Sequence, residues 1–288
     1  MPPDAIAAGP WRRAWRRFRG DGVAVAALVA LGAIYLAAIL APALTRYDPI
    51  AIPANAQAAA PSAAHLFGTD FAGRDVLSRV LFGARISLAV ALLATMCSAV
   101  LGGGWGALAG YAGRRTDTIL MRIVDAALAM PRVVVLIAVG TFWGAVSPIG
   151  LALMIGLTGW FTTSRLVRAA VLSLREQELV VAARALGATR GRILARYILP
   201  NVLSLIVVTA TLGIADVIMI EAGLGFLGIG VPPPAPSWGG IIRDGFDQLP
   251  SQWWMVLLPG LVIVLTVMAF NVVGDGLRDA LDPRQLDR

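Results

Sequence analysis

The sequence predicts an all-α integral membrane protein with six transmembrane helices and both termini in the cytoplasm. Three observations lead there. The first is composition: 58% of the 288 residues are hydrophobic and only 14% charged, against about 25% charged in ordinary soluble domains. Mean hydropathy is +0.78. The second is a series of apolar runs, several approaching the roughly 20 residues that one bilayer crossing needs. The third is the uneven distribution of arginine along the chain.

WRRAWRRFRGDG (Trp11–Gly22) closes a basic tail over residues 1–22. Val23–Leu44 is a run of 22 uncharged residues. A signal-peptide core runs only about 7–15 residues, so residues 23–44 are read as a retained first span. Segment 45–85 is polar, with Pro49, Pro53 and Pro61 breaking its first half, and is expected outside the cytoplasm. Residues 86–275 are expected to form the core with five spans, beginning with the uncharged Ile86–Ala109. Val133–Val146 is too short alone. The third span should therefore start near Asp117, with Arg122 and Asp125 paired on one face and a kink at Pro131. Leu151–Val167 is the fourth, ending in Arg165 and Arg168.

Leu199–Phe226 is the fifth span, with Asp216 and Glu221 inside it, and it reads as the one strongly interrupted span. GIGVPPPAPSWGG (Gly228–Gly240) cannot be helical throughout, because proline lacks the donor and clashes with the preceding turn. Trp253–Val273 is the sixth, with Trp253 and Trp254 at the headgroup level. Residues 276–288 are expected to be a cytoplasmic tail.

All 24 basic residues are arginine, and the net charge is +7. With six spans, the side holding the termini collects five arginines from the N-terminal tail, two from Arg114 and Arg115, seven from Arg165 to Arg196 and three from the C-terminal tail, 17 in all. The opposite side has five: Arg46, Arg74, Arg79, Arg85 and Arg243. The positive-inside rule then assigns both termini to the cytoplasm. Topology and lipid account for the charge, so no nucleic-acid partner is invoked. A lone Cys97 precludes a disulfide framework; it is read as space-filling. A lone His65 cannot build a multi-histidine metal site, and no metal or catalytic constellation is expected. GTDFAGRD holds Asp70, Arg74 and Asp75, which fit a salt-bridged outer cap better than a calcium site needing more oxygens.

Between the fourth and fifth spans, at about 175–197, lies EQELVVAARALGATRGRILARYILPN. Leu179, Ala183, Leu186, Ile193 and Tyr197 fall at helical spacings, and Arg184, Arg190, Arg192 and Arg196 make the other face basic. Gly187 is placed to end a first helix at its C′ position and Thr189 to cap a second. Two readings stay open on physical grounds: an amphipathic helix lying on anionic lipid, or a docking element whose small teeth Ala182, Ala183 and Leu186 fit a partner's groove.

The stretch resembles the cytoplasmic EAA loop of ABC-importer permeases, whose pattern is E-A-A, three residues, G, about nine residues, then I-x-L-P. Ala182, Ala183 and Gly187 match it, followed by Tyr197-Ile198-Leu199-Pro200. Val181 departs from the expected Glu, and Glu178, one turn earlier, is the nearest carboxylate. HLFGTDFAGRDVLSRVLFGARISL, EAGLGFLGIGVPPPAPSWGGII and NVVGDGLRDALDPR resemble further blocks of the dipeptide/oligopeptide/nickel permease subfamily, in its order, and its C-type subunit most.

That resemblance implies a non-catalytic permease of a bacterial plasma-membrane importer. It would work with a second related permease, two cytoplasmic ATPase subunits and an extracytoplasmic solute-binding protein. ATP and Mg would bind on the ATPase subunits, and no cofactor on this chain. Consistently, no G-x-x-x-x-G-K-[ST] phosphate loop is present. The coupling residues would be Glu178, Leu179, Ala182, Ala183, Leu186, Gly187, Ile193 and Pro200. Asp216 and Glu221 are either path-lining acids or structural groups; a charge near the bilayer centre costs about 2.5–3.5 kcal/mol. VPPPAPSW is either a contact for the binding protein or a stiff loop. The expected cargo is a di- or oligopeptide, with nickel or another small solute as the alternative. An autonomous channel, a secondary transporter and a membrane-embedded enzyme lack supporting features.

Overall fold

A computed structural model describes residues 10–53, 56–144 and 146–281. Among them no β-strand forms beyond an isolated bridge between Thr69 and Asp75. The helices are α1 (Pro10–Phe18), α2 (Gly22–Ile39), α3 (Ala41–Leu44), α4 (Val76–Ala112), α5 (Arg114–Leu128), α6 (Arg132–Trp143), α7 (Pro148–Leu174), α8 (Glu178–Ala185), α9 (Arg190–Ile193), α10 (Leu199–Phe226), α11 (Trp238–Phe246) and α12 (Trp254–Leu281), with a π turn at Leu194–Ile198 joining α9 to α10. Four helical stretches are long and apolar enough to cross a membrane: α2, α4, Arg190–Phe226 and α12. The bent pair α5–α6 makes a fifth if it is one span. Helix α7 has 27 residues, about 40 Å at 1.5 Å per residue, but its polar middle, Thr158–Arg165, leaves it outside that set.

Several expectations need correction. The first apolar run breaks at Leu40, before α3, whose Pro42 lacks the amide to continue α2. Helix α4 begins at Val76, inside the segment expected to be extracytoplasmic, because Asp75 caps it by accepting from Ser78 N–H at 2.8 Å. The interrupted span is the third, not the fifth: α5 and α6 meet at a 78° bend around Pro131, whereas α10 runs unbroken. Asp125 pairs with Arg165 on α7 rather than with Arg122, and Asp117 pairs with Arg168. Helix α12 runs past Val273 to Leu281, so residues 276–281 of the expected 276–288 tail continue this helix. Trp254 is buried with its indole N–H donating to Thr69 O at 3.1 Å, and only its neighbour Trp253 is exposed. The basic N-terminal segment is also structured, as α1; residues 1–9 and 282–288 of the two tails lie outside the described residues.

Glycine sets the closest helix pair. Gly102, Gly106 and Gly110 form one face of α4 against α7. A Cβ at Gly102 would lie 2.7 Å from Trp160 O, and one at Gly110 would lie 2.8 Å from Val171 Cβ. Small residues at this four-residue spacing let helix backbones approach where no hydrophobic drive separates helix from lipid. Across this joint Cys97, half-buried, packs on Gly156. Gly225 and Gly239 similarly bring α11 onto α10, a Cβ at Gly225 meeting Gly239 Cα at 3.2 Å. Of the glycines of EAGLGFLGIG, Gly225 and Gly230 thus serve close packing, Gly228 takes a left-handed turn at φ +82°, and Gly223 faces open space.

One end of the bundle carries a charged cap. Asp70, fully buried, accepts from Arg74 Nε and Arg79 Nη1, both at 2.6 Å, and Arg79 Nη2 donates to Asp244 at 2.8 Å. His65 Nδ1 lies 2.9 Å from Asp75 Oδ1. This is the salt-bridged cap expected from GTDFAGRD, extended to α11 through Asp244. Beside it the Pro232–Pro234 loop walls a cavity of about 410 Å³ lined also by Phe71, Arg74 and Arg243.

Candidate functional site

The segment between α7 and α10 is a helix, a stop and a second helix. Helix α8 has Glu178 in its first turn, where a carboxylate opposes the positive end of the helix dipole. Leu186 is the C-cap and Gly187 takes φ +81°. Gly187 N–H donates to Arg184 O and Ala188 N–H to Ala183 O, both at 3.0 Å. These two bonds make a complete Schellman stop, which needs a left-handed residue at C′. Thr189 Oγ1 then accepts from Arg192 N–H at 3.4 Å and starts α9. Both sequence-derived cap positions hold.

The second helix differs from expectation at its C-terminal end. It is no separate element but runs through the π turn into α10. Pro200, near the start of α10, cannot donate to Arg196 O, and the wider π ring accommodates that gap.

The expected single apolar face splits in two. Val180, Ile193 and Ile198 point inward and join Val167 and Val171 of α7 and Val202 of α10 in a cluster of their own, and Ala183 is buried on the same helix as Val180. Tyr197 packs against its edge. Leu179 and Leu186 point outward, 66% and 89% exposed. Ala182 and Val181 are exposed with them. Anchoring and presentation are therefore separate. Each fully buried aliphatic side chain contributes about 1.5–3 kcal/mol, so Val180 and Ile193 tie α8 and α9 to the ends of α7 and α10. The outward leucines contribute little to the chain's own fold. Sequence spacing missed Val180 and Ile198 because adjacent apolar residues, Leu179-Val180 and Ile198-Leu199, satisfy either face; only the packing of α7 decides between them.

The two acids of α10 part company. Asp216 is exposed on the surface of the chain and makes no hydrogen bond to a described residue. It lies within electrostatic reach of Arg132, the first residue of α6 after the bend. Arg132 Nη2 donates to Ile155 O at 2.8 Å and lies against Gly159, where a Cβ would meet it at 2.7 Å. Glu221 is fully buried, and neither carboxylate oxygen has a hydrogen-bond partner among the described residues. Ser87 Oγ, which faces it, accepts from Trp238 N–H at 3.3 Å. Of the two acids, then, only Asp216 faces outward. Arg132 was not singled out from the sequence; its place one residue after Pro131 was the available signal. No group of His, Cys, Asp and Glu suited to a metal occurs among the described residues.

Comparison with known proteins agrees with this architecture. The model for the binding-protein-dependent transport system inner membrane component matches residues 99–287, and that for the N-terminal TM domain of oligopeptide transport permease C matches residues 9–61. The dipeptide transport system permease protein DppC of Alkalihalophilus pseudofirmus is 41% identical over 285 residues, 98% of this chain and 93% of that protein. The oligopeptide transport system permease protein OppC of Bacillus subtilis is 41% identical over 277 residues, 95% and 90% of the two chains. A chain of the MetNI methionine ABC transporter, solved in inward-facing conformations, shares the fold at a TM-score of 0.59 and 20% identity, covering 72% of this chain and 96% of that one. The chain belongs to the binding-protein-dependent transport system inner membrane component family, the multi-pass permeases of ABC importers.

Proposed function

We propose that this chain is the permease subunit for a di- or oligopeptide, and that Glu178–Gly187 is its contact with a cytoplasmic ATPase subunit. The observation that carries the coupling role is the division of α8 into a buried and a free side. Val180 and Ala183 tie it inward, while Leu186, 89% exposed, and Leu179 stand free at the tip. A lipid-lying helix would have no need of a rigid Schellman stop that holds its most exposed leucine at the turn. A groove in a partner would, because a fixed tooth loses less entropy on docking.

The membrane topology proposed is six spans with both termini cytoplasmic: α2, α4, the bent α5–α6 pair, α7, α10 and α12. The arginine distribution supports it. Helix α7 would cross with its polar middle held against α4. ATP and Mg act on two separate ATPase subunits. Closing those subunits moves α8, the inner cluster passes the displacement to α7 and α10, and the two states differ in which side the path opens. A second, related permease completes the path, and an extracytoplasmic binding protein delivers the solute. The peptide assignment rests on the two relatives' names.

Asp216 is proposed to face that path. An exposed carboxylate at this depth would cost about 2.5–3.5 kcal/mol against lipid, so water or the second permease is its expected neighbour. There it can accept from a peptide's amino group. Glu221, enclosed by this chain's own helices, is assigned a structural position. The test is Gly187→Arg in the reconstituted complex. The side chain is strained at φ +81° and adds bulk beside Leu186. Solute-stimulated ATP hydrolysis should be abolished while the chain still inserts. Wild-type hydrolysis in that variant would refute the coupling assignment.

A further inference from the structure

The basic segment before the first apolar helix is built as an adsorbing surface. Helix α1 occupies Pro10–Phe18, and its chain passes through Arg19–Asp21 directly into α2, which is capped by Asp21. Ala14 and Phe18, four residues apart, are buried. Phe18 packs against Gly276 of α12, where a Cβ would lie 3.2 Å from its ring, and Ala24 of α2 closes on the same glycine. One face of α1 is therefore fixed to the base of two apolar helices. Arg12 and Arg16 lie roughly opposite that face at about 100° per residue. They are exposed, as are Arg13 and Arg19, and none of these four forms an ion pair with a described residue. Trp15, 48% exposed, flanks them, stacked on Phe18 and covered by the Arg19 guanidinium at 5.2 Å.

We infer that α1 binds anionic phospholipid headgroups of the leaflet from which α2 enters the bilayer. Arg12, Arg13, Arg16 and Arg19 take the phosphates, and Trp15 lies at the interface. Two features choose lipid over another occupant. Four guanidinium groups without carboxylate partners among the described residues, on a helix held one short turn from a membrane-length span, meet a surface of opposite charge simply because of where the chain places them. An exposed tryptophan beside them suits the water–hydrocarbon boundary. Arginine is also the side chain whose planar fork matches phosphate oxygens in pairs. The inference rests on α2 crossing the bilayer. It is independent of the proposed solute and of the coupling role of α8. It adds a consequence: adsorption of α1 is mechanically joined to the end of α12 through Phe18 and Gly276.

The test uses the whole transporter complex in nanodiscs of phosphatidylcholine with roughly 30% phosphatidylglycerol, to give the leaflet a negative surface potential. The readout is the phosphatidylglycerol-to-phosphatidylcholine ratio retained on the complex by native mass spectrometry. The quadruple variant Arg12→Gln, Arg13→Gln, Arg16→Gln, Arg19→Gln should lose at least about tenfold in that preference, equivalent to about 1.4 kcal/mol. The matching quadruple Lys variant should keep most of it. Raising the salt from about 0.05 to about 0.5 M should erode the wild-type preference, as headgroup charge is screened. Inorganic phosphate should do no more than chloride at equal ionic strength if the site holds lipid. Stronger displacement by inorganic phosphate would overturn a lipid site in favour of a free-phosphate site. An unchanged ratio in the Gln variant, or a salt-independent one in the wild type, would overturn the inference outright. So would loss of an ATPase subunit from the Gln variant at unchanged lipid ratio, which would make α1 a protein-docking helix. The salt series needs no variant to fold, so a salt-independent ratio in the wild-type protein alone can overturn the inference.

Discussion

Leu186 separates docking from folding, and its truncation tests the proposed coupling element directly. At 89% exposure it contributes almost nothing to the chain's own stability, and surface substitutions of this kind stay within about 0.5 kcal/mol. If a partner's groove covers it, the side chain contributes about 1.5–3 kcal/mol. At about 1.4 kcal/mol per factor of ten, Leu186→Ala should then weaken association with the ATPase subunit roughly ten- to hundredfold. Ile193 provides the converse. It is 1% exposed and anchors the cluster beneath α8 and α9. Ile193→Ala should cost about 2–5 kcal/mol of stability. The assay is paired: thermal unfolding of the purified permease in detergent, and solute-stimulated hydrolysis as ATPase subunit is titrated into proteoliposomes. Leu186→Ala should leave the melting curve in place and shift the titration. Ile193→Ala should lower the melting curve first. A Leu186→Ala titration within about twofold of wild type would refute the division of α8 into an anchoring and a docking side.

The geometry supports three further expected outcomes. Asp216→Asn should slow uptake of peptides with a free amino group far more than of N-acetylated ones, whereas Glu221→Gln should not discriminate between them; uptake by proteoliposomes measures both. Gly106→Val should prevent α4 from seating on α7, because even a Cβ there overlaps Ser164 O and lies 2.8 Å from Val167 Cβ, while Gly104→Ala, with open space, should be tolerated; monodispersity and melting temperature in detergent separate them. Arg79→Met should destabilise the charged cap, by up to about 3 kcal/mol, the lower end of the cost of breaking a buried ion pair, since the fully buried Asp70 loses one of its two guanidinium partners and keeps Arg74; the melting temperature of the purified permease reads it.

The fold class was legible because bilayer thickness imposes itself on composition: no soluble chain of this length can be so poor in charge. The end of α10 at Phe226, the stop at Gly187 and the cap at Thr189 were also legible, since each depends on local backbone preference. What stayed hidden depends on partners distant in the chain. Asp125 pairs with Arg165 on α7, not with the nearer Arg122, because packing of α5 on α7 sets the distances. Proline at 131 signalled a disturbance but not its 78° size, which is set by where α6 must lie on α7. The inward face of α8 needed α7 to define it. Asp216 and Glu221 look alike in sequence, and only helix packing makes one internal and the other exposed: Ser87 of α4 faces Glu221, and Gly239 of α11 sits on its neighbour Ala222.

The central claim is that the tip of α8 touches an ATPase subunit. Cys97 is the only cysteine, so a Cys97→Ala background permits site-directed cross-linking from Leu186→Cys with a short thiol-reactive photoprobe in the intact complex. A cross-link from position 186 to an ATPase subunit, changing in yield with ATP, is expected, and none from Ala183→Cys on the buried side. Labelling of lipid alone from position 186, with the ATPase subunits present and active, would contradict it.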